Sequence, residues 1–285
     1  MIRAPMGDRA YWDKQMIISE NGIIKGSEGL KTPAKNPTLE AQFVWILAQY
    51  YPRWIIARYS HGDPIRDLGQ HFPGLLDAWE LSNRLSDEIC VKYKLLHRNR
   101  SWTFDLSDLP HYNWCFWLVG LALTLEIPDE QWKRLLALIG AEGEDVLLDR
   151  VIASRAPGRK IGTTLLHKKP YARLLKAVDA PQAKQAQLLK DFVDRWYAEL
   201  ARRGDQRPLW YFYCDPEKYP LSMFLYFGCW CIEAVAAAKA FGLDDSLCLG
   251  HEHYPGDLLR PDGTSTHPAR PEPKTGFFGK LFGKK

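Results

Sequence analysis

The stretch FGCWCIEAVAAAKAFGLDDS, Phe227 to Ser246, decides how the rest of the sequence is read. Small and apolar residues run through it with no polar face set against an apolar one. A helix of that kind is buried on all sides. The pattern predicts a helix from about Pro220 to Phe241, with Gly242 as the left-handed residue that ends it. One acid, Glu233, lies inside. A buried carboxylate is costly unless it is paired or hydrogen-bonded, so Glu233 is either a chemical group or an anchor of the fold.

Helical periodicity continues outward from this stretch in both directions. Trp12, Met16, Ile23 and Leu30 recur near helical spacing between Asp8 and Leu30, with Gly22 and Gly26 weakening the later turns. A second helix opens at Asn36-Pro37, with Glu40 in its first turn and Pro52 as an expected kink. Asp63-Pro64 is expected to cap the next helix, and Pro73-Gly74 to interrupt it. A very apolar helix from about Tyr112 to Leu125 follows, then one from Pro128. A further, amphipathic helix places Leu188, Leu189, Phe192, Trp196 and Leu200 inside and stops at Gly204. No run of alternating strands appears. The fold class is all-α, a two-part helical bundle with an N-terminal domain over 1–130 and a C-terminal domain over 131–259. Trp114-Cys115 and Trp230-Cys231, at an offset of 116, hint that the two halves are related.

After Leu259 the sequence turns Pro-rich and polar, and 260–285 reads as a disordered basic tail. That tail carries six bases against two acids, while residues 1–259 carry 32 bases and 32 acids. The net charge of +4 therefore belongs to the tail, and a basic nucleic-acid-binding body is not expected. The longest apolar run, Cys115 to Leu125, has eleven residues, roughly half of a bilayer crossing, so no stable membrane insertion is expected. The start of the chain lacks the apolar region of a signal peptide. The six cysteines form no CxxC pair and read as reduced core thiols of a cytoplasmic protein.

Candidate chemistry is sparse. Cys248, His251, Glu252, His253 and Asp257 give a C-x2-H-x-H spacing without a second ligand pair, and HEHYPGDLL is not HExxH. A polar turn is the better reading, and no metal or cofactor is expected. Glu233 has no acid, histidine or nucleophile at a diagnostic spacing, which favours an anchor over a general acid or base. No nucleophile elbow, P-loop or dinucleotide fingerprint occurs. Acids recur in loops at Asp105, Asp108, Asp205, Asp215 and Glu217. These residues serve turns and caps, or else form an acidic, aromatic-lined patch for a basic partner.

Gly228, Trp230, Glu233-Ala234, Ala236, Lys239, Gly242-Leu243-Asp244-Asp245, His251, Tyr254-Pro255 and Asp257-Leu258 resemble the C-terminal signature of the PoNi family. These are immunity proteins paired with PoNe-type DNase toxins of bacterial type VI and related secretion systems. The N-terminal RAYWDKQ and YYPRWIIARYSHGDPIRDL resemble the companion domain, and Gly256 stands where the family often has a bulkier residue. The resemblance implies an all-helical protein without catalysis. It implies that the protein binds the nuclease domain of its cognate toxin in the producing cell and occludes the active site. Trp230, Glu233, Gly242, Asp244, Asp245, Tyr254 and Asp257 are then residues of the fold. The loop acids are candidates to meet a nuclease site that is basic because it holds phosphates. Two other readings compete: a metal-dependent or Glu-based hydrolase using Glu233, His251 and His253, and a helical scaffold whose basic tail docks on membrane.

Overall fold

The structure, a computed structural model, describes residues 1–31, 37–94, 104–203 and 206–269. Among these residues it is all-α, with no strand. The long helices of the first half are α1 (Arg9–Gly29), α2 (Pro37–His61) and, after the single turn α3 (Ile65–Leu68), α4 (Phe72–Tyr93). Then come α5 (Leu109–Thr124), α6 (Asp129–Ile139) and α7 (Val146–Ala153). The second half adds α8 (Lys168–Asp179), α9 (Gln182–Glu199), the short α10 (Leu209–Tyr213) and α11 (Ile232–Phe241).

Local chemistry explains most of the boundaries. Asp8 caps α1 by accepting from the Tyr11 N–H at 2.8 Å, and Asp145 caps α7 by accepting from Leu147 and Leu148. Pro73 does not interrupt α4. It sits in the first turn, where its missing N–H has no partner to lose. Helix α2 runs through Pro52 as one element. Asp63 does not cap the next helix; its carboxylate binds Arg58 and His61 instead. Asn36 and Gly204, expected as a cap and a stop, lie outside the described residues.

The main correction concerns the stretch that opened the reading. Helix α11 starts at Ile232, not near Pro220. The backbone before it finds its partners elsewhere: Cys231 N–H donates to the His253 carbonyl at 2.7 Å, and His253 Nδ1 bonds the Cys229 carbonyl at 3.0 Å. Gly228 adopts φ +120°, and a Cβ there would overlap Ser60 and the Trp230 indole. Aromatic and apolar composition alone does not separate such a buried extended run from a helix.

Helices α5 and α11 form the centre. Residues Ile232 to Ala238 are all buried, as are thirteen of the sixteen residues of α5. The two helices cross at Gly120, where a Cβ would lie 2.7 Å from Ile232 Cγ2 and 3.0 Å from Ala236 Cβ. Helices α7, α8 and α9 also pack on α11, while α1, α2 and α4 form a layer of their own. One continuous cluster of buried residues runs from Ala4 to Leu258 through both halves. The body also extends past Leu259, because Arg260, Asp262 and His267 pack against it.

Candidate functional site

Glu233 is fully buried in the first turn of α11. That is where a helix presents unpaired N–H groups and the positive end of its dipole. Its Oε1 accepts from Asn113 Nδ2 at 2.6 Å, the Tyr171 hydroxyl at 2.9 Å and Trp196 Nε1 at 3.2 Å. Asn113 Oδ1 in turn accepts from Trp210 Nε1 at 2.6 Å. Residues of α5, α8 and α9 thus converge on one carboxylate of α11, and α10 joins them through Asn113. Desolvation pushes that carboxyl up to about 7, and its own backbone N–H, Trp196, Tyr171 and Trp117 hold it from rising further. The Trp117 indole faces Glu233 without closing a hydrogen bond of ordinary geometry, and Oε2 has no partner.

This is the chemistry of an anchor, not of an acid that reaches a substrate. Trp196 bonds Glu233 through its indole N–H and packs its ring on His253, with centroids 5.6 Å apart. One indole thus touches both the acid and His253. His251 Nδ1 accepts from the His253 backbone N–H at 3.1 Å, which makes HEH a closed polar turn. Among the described residues, no group of His, Cys, Asp or Glu is arranged to hold a metal ion. The hydrolase reading needs Glu233, His251 and His253 to act on one substrate, but Glu233 is fully buried and its Oε1 is bound by Asn113, Tyr171 and Trp196.

The remaining signature residues build a second polar junction. Asp257 is buried and accepts from Arg3 Nε at 2.6 Å, Ser265 Oγ at 2.7 Å, the Thr266 backbone N–H at 2.6 Å and Thr266 Oγ1 at 2.8 Å. Burial raises its carboxyl, but these donors outweigh it and the net shift is downward. Asp245 accepts from the Tyr254 hydroxyl and from both terminal nitrogens of Arg260. Trp230 Nε1 donates to Ser60 Oγ at 2.8 Å, and its ring meets Tyr59 and His267 edge-on. Gly242 ends α11 at φ +64°, and Asp244 accepts from the Ser246 N–H in the turn beyond. Arg3, Asn113, Arg260 and His267 are the partners that sequence reading missed. Only Asn113 carried a signal, as a lone amide in an apolar helix.

The described loop acids sit in two turns, one before α5 and one after α10. Asp105 accepts from the Ser107 N–H and hydroxyl, and Asp108 caps α5 by accepting from His111 N–H at 3.0 Å. Asp215 binds Lys218 Nζ at 2.7 Å, and the exposed Glu217 donates its backbone N–H to Asp215. Asp205 lies outside the described residues. Around Asp215 the chain makes an excursion rich in aromatic residues: Tyr219 packs on Phe212 and Tyr213, and Arg207 lies over the Phe212 ring. All six cysteines are free thiols, five of them buried and Cys214 half-buried. Among the described residues, no helix is long and apolar enough to cross a membrane.

The crystal structure of protein PA2201 from Pseudomonas aeruginosa has a similar fold. Its TM-score is 0.67 at 18% identity, over 92% of this chain and 91% of that one. No curated protein sequence matches. The family model described as the N-terminal domain of PoNe immunity protein (PoNi) matches residues 3–137. The model described as the C-terminal domain of PoNe immunity proteins (PoNi) matches residues 143–258. The chain belongs to the PoNe immunity protein family, a family of non-enzymatic immunity proteins.

Proposed function

We propose that this protein binds a cognate DNase toxin in the cytoplasm of the cell that makes both, and neutralises it by covering the nuclease active site. The observation that carries the reading is the extent of the two family matches. Together they take up nearly the whole described body, from residue 3 to residue 258. The interior supports it, since Glu233 is sealed from solvent and serves the packing of five helices. Six unpaired thiols fit a reducing compartment. Delivery of the toxin by a type VI or related secretion system belongs to the same reading.

The face turned to the nuclease carries acids. A nuclease site is cationic because it holds phosphates, and complementary charge steers encounter and fixes register. Asp105 and Asp108 before α5, and Asp215 and Glu217 beside the aromatics of α10, are the proposed contacts, with Asp205 in the same stretch of chain. Tyr, Phe and Arg side chains beside acids are the composition of an interface core and its rim.

The test is co-expression with the cognate nuclease. Cells survive only with this protein present, and the two purify as a complex. Reversing Asp215 and Glu217 to lysine weakens the complex about tenfold, mainly through slower association at low salt. Cell death despite abundant folded protein overturns the neutralisation reading.

A further inference from the structure

Two cysteines flank one aromatic stack. Tyr211 stacks on Tyr197 with ring centroids 4.4 Å apart, and Tyr197 meets the His253 ring at 5.2 Å. Just past Tyr211, the Cys214 N–H donates to the Tyr211 carbonyl at 3.4 Å. On the other side of the stack, His253 Nδ1 bonds the Cys229 carbonyl at 3.0 Å. The two thiols face each other at hydrogen-bonding range, and both act on the Tyr197 and Tyr211 phenols. Cys214 Sγ donates to the Trp210 carbonyl at 3.6 Å, which leaves its lone pairs turned to accept from the Cys229 thiol.

Access separates the two. Cys214 is half-buried, whereas Cys229 and the other four cysteines are buried. Burial pushes the Cys229 thiol well above its usual range, so it stays protonated. A small oxidant arriving from solvent therefore meets Cys214 first, and the thiol waiting beside it is Cys229. An accessible thiol next to a second cysteine is the arrangement that turns oxidation into a reversible cross-link.

We propose that Cys214 and Cys229 form a reversible disulfide when the folded protein meets a peroxide. The Cys214 sulfur attacks one peroxide oxygen. An S–O bond forms, the O–O bond breaks, and the leaving hydroxide takes the Cys214 proton and departs as water. The Cys229 sulfur then attacks the Cys214 sulfur. The S–S bond forms, the S–O bond breaks, and the leaving hydroxide takes the Cys229 proton as a second water. Two thiols are oxidised by two electrons and one peroxide is reduced. The bond closes the stretch from Cys214 to Cys229 into a loop and restricts its freedom. The disulfide stands independently of the neutralisation reading. On that reading it orders the stretch that carries Asp215 and Glu217.

The test treats the purified full chain with hydrogen peroxide under native conditions and maps the cysteine peptides without reductant. The expected result is one link within the chain, Cys214 to Cys229. It is lighter than the two thiols by two hydrogen atoms and is undone by dithiothreitol, with the remaining cysteines still free. Tryptophan fluorescence stays unchanged, and amide exchange between the two cysteines slows about tenfold. Cys214→Ser abolishes the link and melts with the reduced wild type. In Cys229→Ser, dimedone traps a sulfenic acid on Cys214; should this buried substitution prevent folding, the Cys214→Ser result decides alone. Six intact thiols after peroxide overturn the proposal. So do sulfinic or sulfonic acid at Cys214 without a link, a link between two chains, a link between other cysteines, or a wild-type response in Cys214→Ser.

Discussion

At the scale of single residues, Glu233 shows how position changes the cost of a charge. In the middle of an apolar helix it is a liability, but in the first turn of α11 it meets a helix N-terminus and three side-chain donors. Replacing it with alanine leaves Asn113, Tyr171 and Trp196 without their acceptor and costs about 3 kcal/mol or more; urea unfolding measures this. The pH dependence has a definite sign. The folded carboxyl, pushed up to about 7, holds its proton more tightly than the unfolded one at 4.5. Stability from this group is complete below pH 4.5 and is lost as pH rises through 7, by about 3 kcal/mol in all. Glu233→Gln stays neutral, so its stability relative to the wild type improves from pH 5 to about pH 7 and levels off above that. A difference that is flat with pH would show that the carboxyl is already ionised in the fold. His267 behaves oppositely. Burial holds its imidazole down at about 4, so its contribution is full above pH 6.5 and lost as pH falls towards 4.

At the scale of elements, two contacts carry the architecture. The α5–α11 crossing depends on Gly120, whose missing side chain lets Ile232 and Ala236 approach. Gly120→Val overpacks this crossing and costs about 1–3 kcal/mol or more, seen as a lower urea midpoint at unchanged slope. The second contact is the strap of residues 260–269. Asp257 holds it through Ser265 and Thr266 and ties it to Arg3 at the other end of the sequence. Asp257→Ala therefore loosens two distant segments together. Hydrogen exchange accelerates at residues 1–4 and 265–267 in the same variant, while the amides of α8 and α9 keep their protection.

At the scale of the whole molecule, the single buried cluster predicts one cooperative unfolding transition, with circular dichroism and tryptophan fluorescence coincident. Two separate midpoints would mean that the halves melt independently. Ending the chain at Leu259 removes the Arg260–Asp245 and His267–Tyr59 contacts and lowers the melting temperature, whereas ending it at Ala269 keeps them. Much of this organisation was legible beforehand. The all-α class, the amphipathic helices and the buried setting of α11 follow from spacing and composition, which act locally along the chain. The start of α11 was not legible, because the backbone from Phe227 to Cys231 is satisfied by Ser60 and His253, distant in sequence. Nor did Arg260 and His267 look different from a solvated tail, since nothing local marks a polar residue whose partners are Asp245 and Tyr59. The approach of α1 to α2 was hidden for a related reason: Gly26 looked like weak helix, and only the packing of the two helices sets Leu47 against it. The sequence by itself determined which segments are helical and which residues avoid water, because both are short-range properties of the chain. The tertiary structure alone decided which polar groups neutralise one another, as Asp257 does Arg3 and Asp245 does Arg260, because those energies depend on distances that spacing along the chain does not encode.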